Sequence, residues 1–180
     1  IQKKLKKMTF FLQLKEKKND GNKFIKQAFS KNASLAIVNK VDKNYNVKRQ
    51  IKIKDSLSFL TKSSKIFRET LDAKIIAITG SCGKTTLKDL LGSSLKKLFK
   101  VSISKKSYNN KYGVPLSLFN IDQEDHYGVL ELGMDKKGEI DYLSKIVQPD
   151  VSVITNINYA HAKNFRNLKQ IALAKSEIIN

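Results

Sequence analysis

From about residue 74 onward, apolar residues come in short unbroken runs at 75–79, 101–104, 129–132 and 151–155, each followed by a loop and a helix-like stretch. Strands covered on both faces have no solvent side to alternate toward, so these runs predict a parallel sheet layered with helices. Earlier in the chain the pattern is finer. Residues 9–14 and 34–39 read as strands, 24–31 as a helix, and the connection between the first two holds a turn at Asn19-Asp20-Gly21. A polar stretch over 42–46 precedes alternating residues 47–53. A helix follows, capped by Asp55 or Ser56, with Leu57, Leu60, Ile66 and Phe67 as its apolar positions.

The expected fold is therefore α/β: a small N-terminal α/β domain over 1–72, then a parallel-sheet domain over 73–180. No internal repeat or low-complexity linker separates them. The chain opens on Ile1 and stops at Asn180 inside a predicted helix, so both ends are expected to be cut. In open parallel sheets ligands bind beyond the carboxyl ends of the strands, which directs attention to the segments after Thr79, Ser104, Leu132 and Thr155.

An excess of 35 basic over 16 acidic side chains, a formal charge of +19, raises the question of an anionic partner. Arg49, Arg68 and Arg166 are the arginines, and the lysines are spread along the chain without a block. Readers of phosphates and base edges favour the planar guanidinium, so nucleic-acid binding is not expected. No apolar run is long enough to span a bilayer, and Cys82 as a single cysteine excludes an intrachain disulfide. These features favour a reducing cytoplasm.

The densest chemistry lies in Ile75-Ile76-Ala77-Ile78-Thr79-Gly80-Ser81-Cys82-Gly83-Lys84-Thr85-Thr86, a buried strand running into a glycine turn and then a helix through Leu87, Leu90, Leu91 and Leu95. Glycines allow successive amides and a helix N-terminus to face a polyphosphate; Lys84 adds charge, and the Thr85 hydroxyl can ligate magnesium. Ile78 stands where the longer phosphate-loop pattern has its first glycine, so the spacing is Gly-x-x-Gly-Lys-Thr. Cys82 reads as a small spacer in the loop, since no His or second Cys is near it in sequence.

Further on come Asn109-Asn110-Lys111-Tyr112-Gly113-Val114-Pro115-Leu116, Val129-Leu130-Glu131-Leu132-Gly133-Met134, Thr155-Asn156-Ile157-Asn158-Tyr159-Ala160-His161 and Ala172-Leu173-Ala174-Lys175-Ser176-Glu177-Ile178. In order and spacing behind the short phosphate loop, these segments resemble those of the Mur ligases. The resemblance implies a P-loop-type ATPase domain that binds ATP and Mg2+. Gly80, Ser81, Cys82, Gly83, Lys84, Thr85, Thr86, Asn109 and Asn110 would line the nucleotide. Thr85, Glu131, His161 and Lys175 would serve the metal, the last as the lysine that is carbamylated in several family members, and Lys84, Glu131, His161 and Lys175 would carry the catalysis. Asp20-Gly21-Asn22-Lys23-Phe24-Ile25 with Ala28 is similar to the segment of those members that join D-alanyl-D-alanine to UDP-N-acetylmuramoyl-tripeptide through an acyl phosphate. The first domain would then hold the UDP end of the precursor, in a monomer. Two departures stand out: the Ser-Arg segment expected ahead of the first strand is absent, and Asn22 replaces a histidine. A nucleotide-binding module without ligase activity, and a family member adding a single amino acid, are the alternatives.

Overall fold

In the computed structural model of the chain, the described residues are 10–16, 19–106, 108–159 and 164–179. They form two compact units divided between Leu60 and Thr61, ahead of the 72/73 boundary expected from the change of texture. The division falls inside the helix Ser56–Glu69 (α2).

The first unit is built on a parallel sheet of Phe10–Leu12 (β1), Leu35–Val38 (β4) and Gln50–Lys52 (β5), in the order β1-β4-β5. Between β1 and β4 lie a two-residue ribbon of Lys15–Glu16 (β2) and Asn19–Asp20 (β3), then the helix Ile25–Ser30 (α1). Asn19 and Asp20, expected in a turn, are thus paired as a strand. Ile25, Ala36 and Val38 make the core, with Phe11, Phe29, Val41 and Tyr45 against it. Only the second half of the strand expected over 47–53 is strand. Val47–Arg49 is a 3-10 turn, because the Asn46 side chain accepts the Lys48 N–H at 3.0 Å and the Asn46 carbonyl accepts the Arg49 N–H. An Asn side chain that bonds its own backbone competes with the ladder. Asp55 is the cap of α2, accepting from the amides of Leu57 and Ser58, while Ser56 donates to Asn39.

The second unit carries Lys74–Thr79 (β6), Lys84–Leu95 (α3), Val101–Ile103 (β7), Gly113–Leu118 (α4), Tyr127–Glu131 (β8), Glu139–Val147 (α5), Val151–Ile154 (β9) and Leu168–Ser176 (α6). Its sheet is all parallel, in the order β7-β8-β6-β9, so β6 lies at the centre. Alternate residues of β6 serve opposite layers. Ile76 and Ile78 meet Leu87, Leu91 and Leu95 of α3, whereas Ile75 and Ala77 join the larger core with Leu130, Ile140, Leu143, Ile146 and Ile171. Leu90 lies off the 87-91-95 stripe and is exposed. Asp150 fixes the start of β9 to that of β6: its carboxylate accepts from the Ile75 amide, Lys74 and Arg68. Helix α5 starts at Gly138, φ 85°, and the missing cap is supplied from across the chain by Glu177, which accepts from the amides of Gly138 and Asp141. No helix among the described residues is long and apolar enough to cross a membrane.

Candidate functional site

Because β6 is central, the turn that leaves it is flanked by the ends of β8 and β9. Gly80 makes the turn at φ 148°, and a Cβ there would lie 1.9 Å from Thr155 Oγ1, so no other residue fits this approach. Gly83, at φ 78°, is the N-cap of α3 and offers its leading amides no side-chain acceptor. Between the two glycines the loop is laced to the segment after β9. Ser81 N–H donates to the Asn156 carbonyl (3.0 Å), Cys82 N–H donates to Asn156 Oδ1 (3.0 Å), and the Cys82 carbonyl accepts from Thr155 Oγ1 and Asn156 Nδ2. Ser81 Oγ donates to the Asn158 carbonyl and accepts the Asn158 N–H. Cys82 contributes its backbone while its thiol side is exposed, as a spacer would. Below the loop, the buried Thr79 hydroxyl has no hydrogen-bond partner among the described residues.

Lys84 curls back over this loop, its Nζ 2.9 Å from the Gly80 carbonyl. One residue on, the Thr85 hydroxyl donates to Glu131 Oε2 at 2.7 Å; Thr86 is exposed. Glu131 ends β8 and is 2 % exposed. Its other oxygen accepts from Asn109 Nδ2 at 2.8 Å, and its amide donates to Ser104 Oγ. Asn109 is held in turn by the Gly133 N–H, which donates to the Asn109 carbonyl at 2.7 Å. A Cβ on residue 133 would come within 2.9 Å of the Asn109 side chain. Asn110 works on the backbone instead, where its Oδ1 accepts from the amides of Tyr112 and Gly113 and fixes the entry to α4.

Lys175 of α6 is 2 % exposed. Burial, reinforced by the positive charge of Lys84, lowers its pKa to about 8, so an appreciable fraction is the neutral amine near neutral pH. His161 lies outside the described residues, as does the side chain of Asn22. No cluster of three or more His, Cys, Asp or Glu suited to a metal occurs among the described residues. What the geometry offers is a carboxylate and a hydroxyl in contact at the mouth of a phosphate-type loop.

Three features of the site are not among those read from the sequence. Lys88 is wholly buried, with Nζ 2.8 Å from the Lys106 carbonyl and 4.0 Å from Glu131 Oε2. Its position one helical turn beyond Lys84, on the face of Thr85 and Gly92, was the available signal. Ser104, and the Thr155-Asn156-Asn158 lacing, act through tertiary hydrogen bonds that no local pattern announces.

A sequence model of the Mur ligase middle domain matches residues 78–180. UDP-N-acetylmuramoyl-tripeptide--D-alanyl-D-alanine ligase of Bacillus subtilis is 36% identical over 98% of this chain, which spans 39% of that protein. Among solved structures, MurF from Acinetobacter baumannii superposes with a TM-score of 0.84 at 39% identity, over 95% of this chain and 38% of its own. The MurF ligase of Thermotoga maritima, solved in complex with ADP, gives 0.82 at 31% identity, over 98% of this chain and 41% of its own. The chain thus spans about two fifths of the relatives it matches.

Proposed function

Since this chain belongs to the Mur ligase family, we propose that the loop Gly80 to Thr85 grips the phosphates of ATP and that the site serves an amide-forming ligase of cell-wall precursor synthesis. The observation that carries this reading is the convergence of the Thr85 hydroxyl and the Asn109 amide on the buried Glu131 carboxylate, beside a glycine-turned loop at a strand end. The loop amides and the start of α3 are suited to the β- and γ-phosphates, and Lys84 would exchange the Gly80 and Ser81 carbonyls for them.

The hard oxygen donors Thr85 and Glu131 fit magnesium, which commonly takes one or two protein oxygens and fills its shell with water and phosphate. Bound there, it would neutralise charge on the transferring phosphoryl group. His161 and a carbamylated Lys175 would complete the set. For the carbamate, the neutral Nζ attacks carbon dioxide, an N–C bond forms and a proton leaves, a step favoured by the lowered pKa of this amine.

The relatives' names support a specific reaction. The carboxylate of UDP-N-acetylmuramoyl-tripeptide attacks the γ-phosphorus, the bond to ADP breaks, and an acyl phosphate results. The amine of D-alanyl-D-alanine then attacks the acyl carbon, phosphate departs, and the amine loses a proton. The first unit would hold the UDP end of the precursor, in a monomer working in the cytoplasm.

Calorimetry with MgATP tests the core of this reading. Lys84→Ala and Glu131→Ala should each weaken binding by tenfold or more, about 1.4 kcal/mol or above, with the melting transition retained. Equal affinity in all three proteins would refute the phosphate-loop assignment.

A further inference from the structure

A lysine ammonium taken out of water demands compensation, since an unpaired buried charge loses its hydration and gains nothing in return. In a chain whose lysines sit mostly on the surface, Lys88 is 0 % exposed. Its Nζ donates to the carbonyl of Lys106 at 2.8 Å and lies 3.6 Å from the Asp89 carboxylate and 4.0 Å from that of Glu131. Lys106 is held at φ 45°, a conformation that L-residues rarely adopt, and it leads into the segment that carries Asn109. The Tyr108 N–H donates to the Lys105 carbonyl, and the Gly133 N–H holds the Asn109 carbonyl.

We propose that Lys88 is a positioning residue of the nucleotide site: from inside α3 it ties down the Lys106 carbonyl and so sets Asn109 against Glu131. The helix that begins at the phosphate loop and the segment that orients the Glu131 carboxylate are then one mechanical piece. Lys88 touches no substrate; it acts through Asn109. The role rests on the nucleotide-site reading above, while the tie itself can be measured without nucleotide.

The test compares Lys88→Met, which keeps the stem and removes the donor and charge, with Lys88→Arg, which keeps both. In amide exchange, Lys88→Met should accelerate Tyr108 and Gly133 on the order of tenfold, the loss of one charge-assisted hydrogen bond. The Leu132 amide, bonded to the Ile78 carbonyl inside the sheet, should be unchanged, and Lys88→Arg should restore most of the protection. MgADP affinity should fall with the exchange protection, and Asn109→Ala should add little in the Lys88→Met background. Faster exchange across all of β8 and α3, or additive losses in the double variant, would reduce Lys88 to a core-stabilising residue and overturn the proposal, as would unaltered exchange at Tyr108 and Gly133. A wild-type chain that ignores MgADP would instead sink the nucleotide reading, and the exchange data would still decide the tie.

Discussion

Replacing Gly80 with alanine tests how the phosphate loop is built, because two costs fall on one methyl group. At φ 148° any L-residue is strained, by about 1–3 kcal/mol. The new Cβ would also stand 1.9 Å from Thr155 Oγ1 and 3.1 Å from the Thr155 backbone nitrogen. Thr155 must therefore turn away, giving up its bond to the Cys82 carbonyl, about 1 kcal/mol. Its backbone cannot retreat freely, since the Thr155 amide is bonded to the Thr79 carbonyl. Strain, a lost hydrogen bond and residual overpacking of about 1 kcal/mol or more together give roughly 3–5 kcal/mol. Gly83 is the internal control: its φ is 78° but a Cβ there meets nothing within 4 Å. Gly83→Ala should cost only the conformational part, about 1 kcal/mol. Urea titrations read both, and a total stability of about 5–15 kcal/mol leaves the difference measurable. Equal midpoints for the two variants would refute the close approach of the loop to the end of β9.

Asp150 should confer pH-dependent stability. Burial alone would raise its pKa, but the Ile75 amide and the charges of Lys74 and Arg68 outweigh it and hold the group below the ordinary carboxylate range. A depressed pKa means the contribution is complete above the unfolded value, about 3.9, and is lost as pH falls through the folded one. The stability gap between wild type and Asp150→Asn should thus be constant above about pH 5 and shrink below about pH 4; a gap that stays constant down to about pH 2 would contradict the ion-pair account. Glu177→Ala should leave the Gly138 and Asp141 amides without their carboxylate and cost about 1–2 kcal/mol, a fall of several degrees in the thermal midpoint. An unchanged midpoint would show that water caps α5 as well as Glu177 does.

The central strands β6 and β8 were legible because a strand covered on both faces is apolar nearly throughout, and the four runs that became β6 to β9 differ from their expected bounds only at the edges, although the edge strand β9 is partly exposed. The alternation over 47–53 misled because Val47, Ile51 and Ile53 would share one face of a strand, while the deciding force is an Asn46 side chain bonding its own backbone. Thr85 and Glu131 could be named from sequence, and they are in contact. Lys88 had only its place one helical turn beyond Lys84 to mark it among many surface lysines, since the carbonyl its ammonium meets lies eighteen positions away. The lacing by Asn156 and Asn158 was equally silent, since it depends on β9 pairing with β6 across more than seventy residues.

That lacing makes the phosphate loop a property of the whole sheet rather than of the peptide that spells it. Residues 80–83 are held by hydrogen bonds to the segment that leaves β9, and β9 is in turn paired along β6. If the loop grips phosphate as proposed, fraying at that edge and loss of anion binding become a single event, and by linkage a bound nucleotide would resist that fraying by RT ln(1 + [L]/Kd). The loop is in this sense a reporter of sheet completion: a chain intermediate lacking β9 would carry the whole glycine-lysine motif and still have no grip on phosphate.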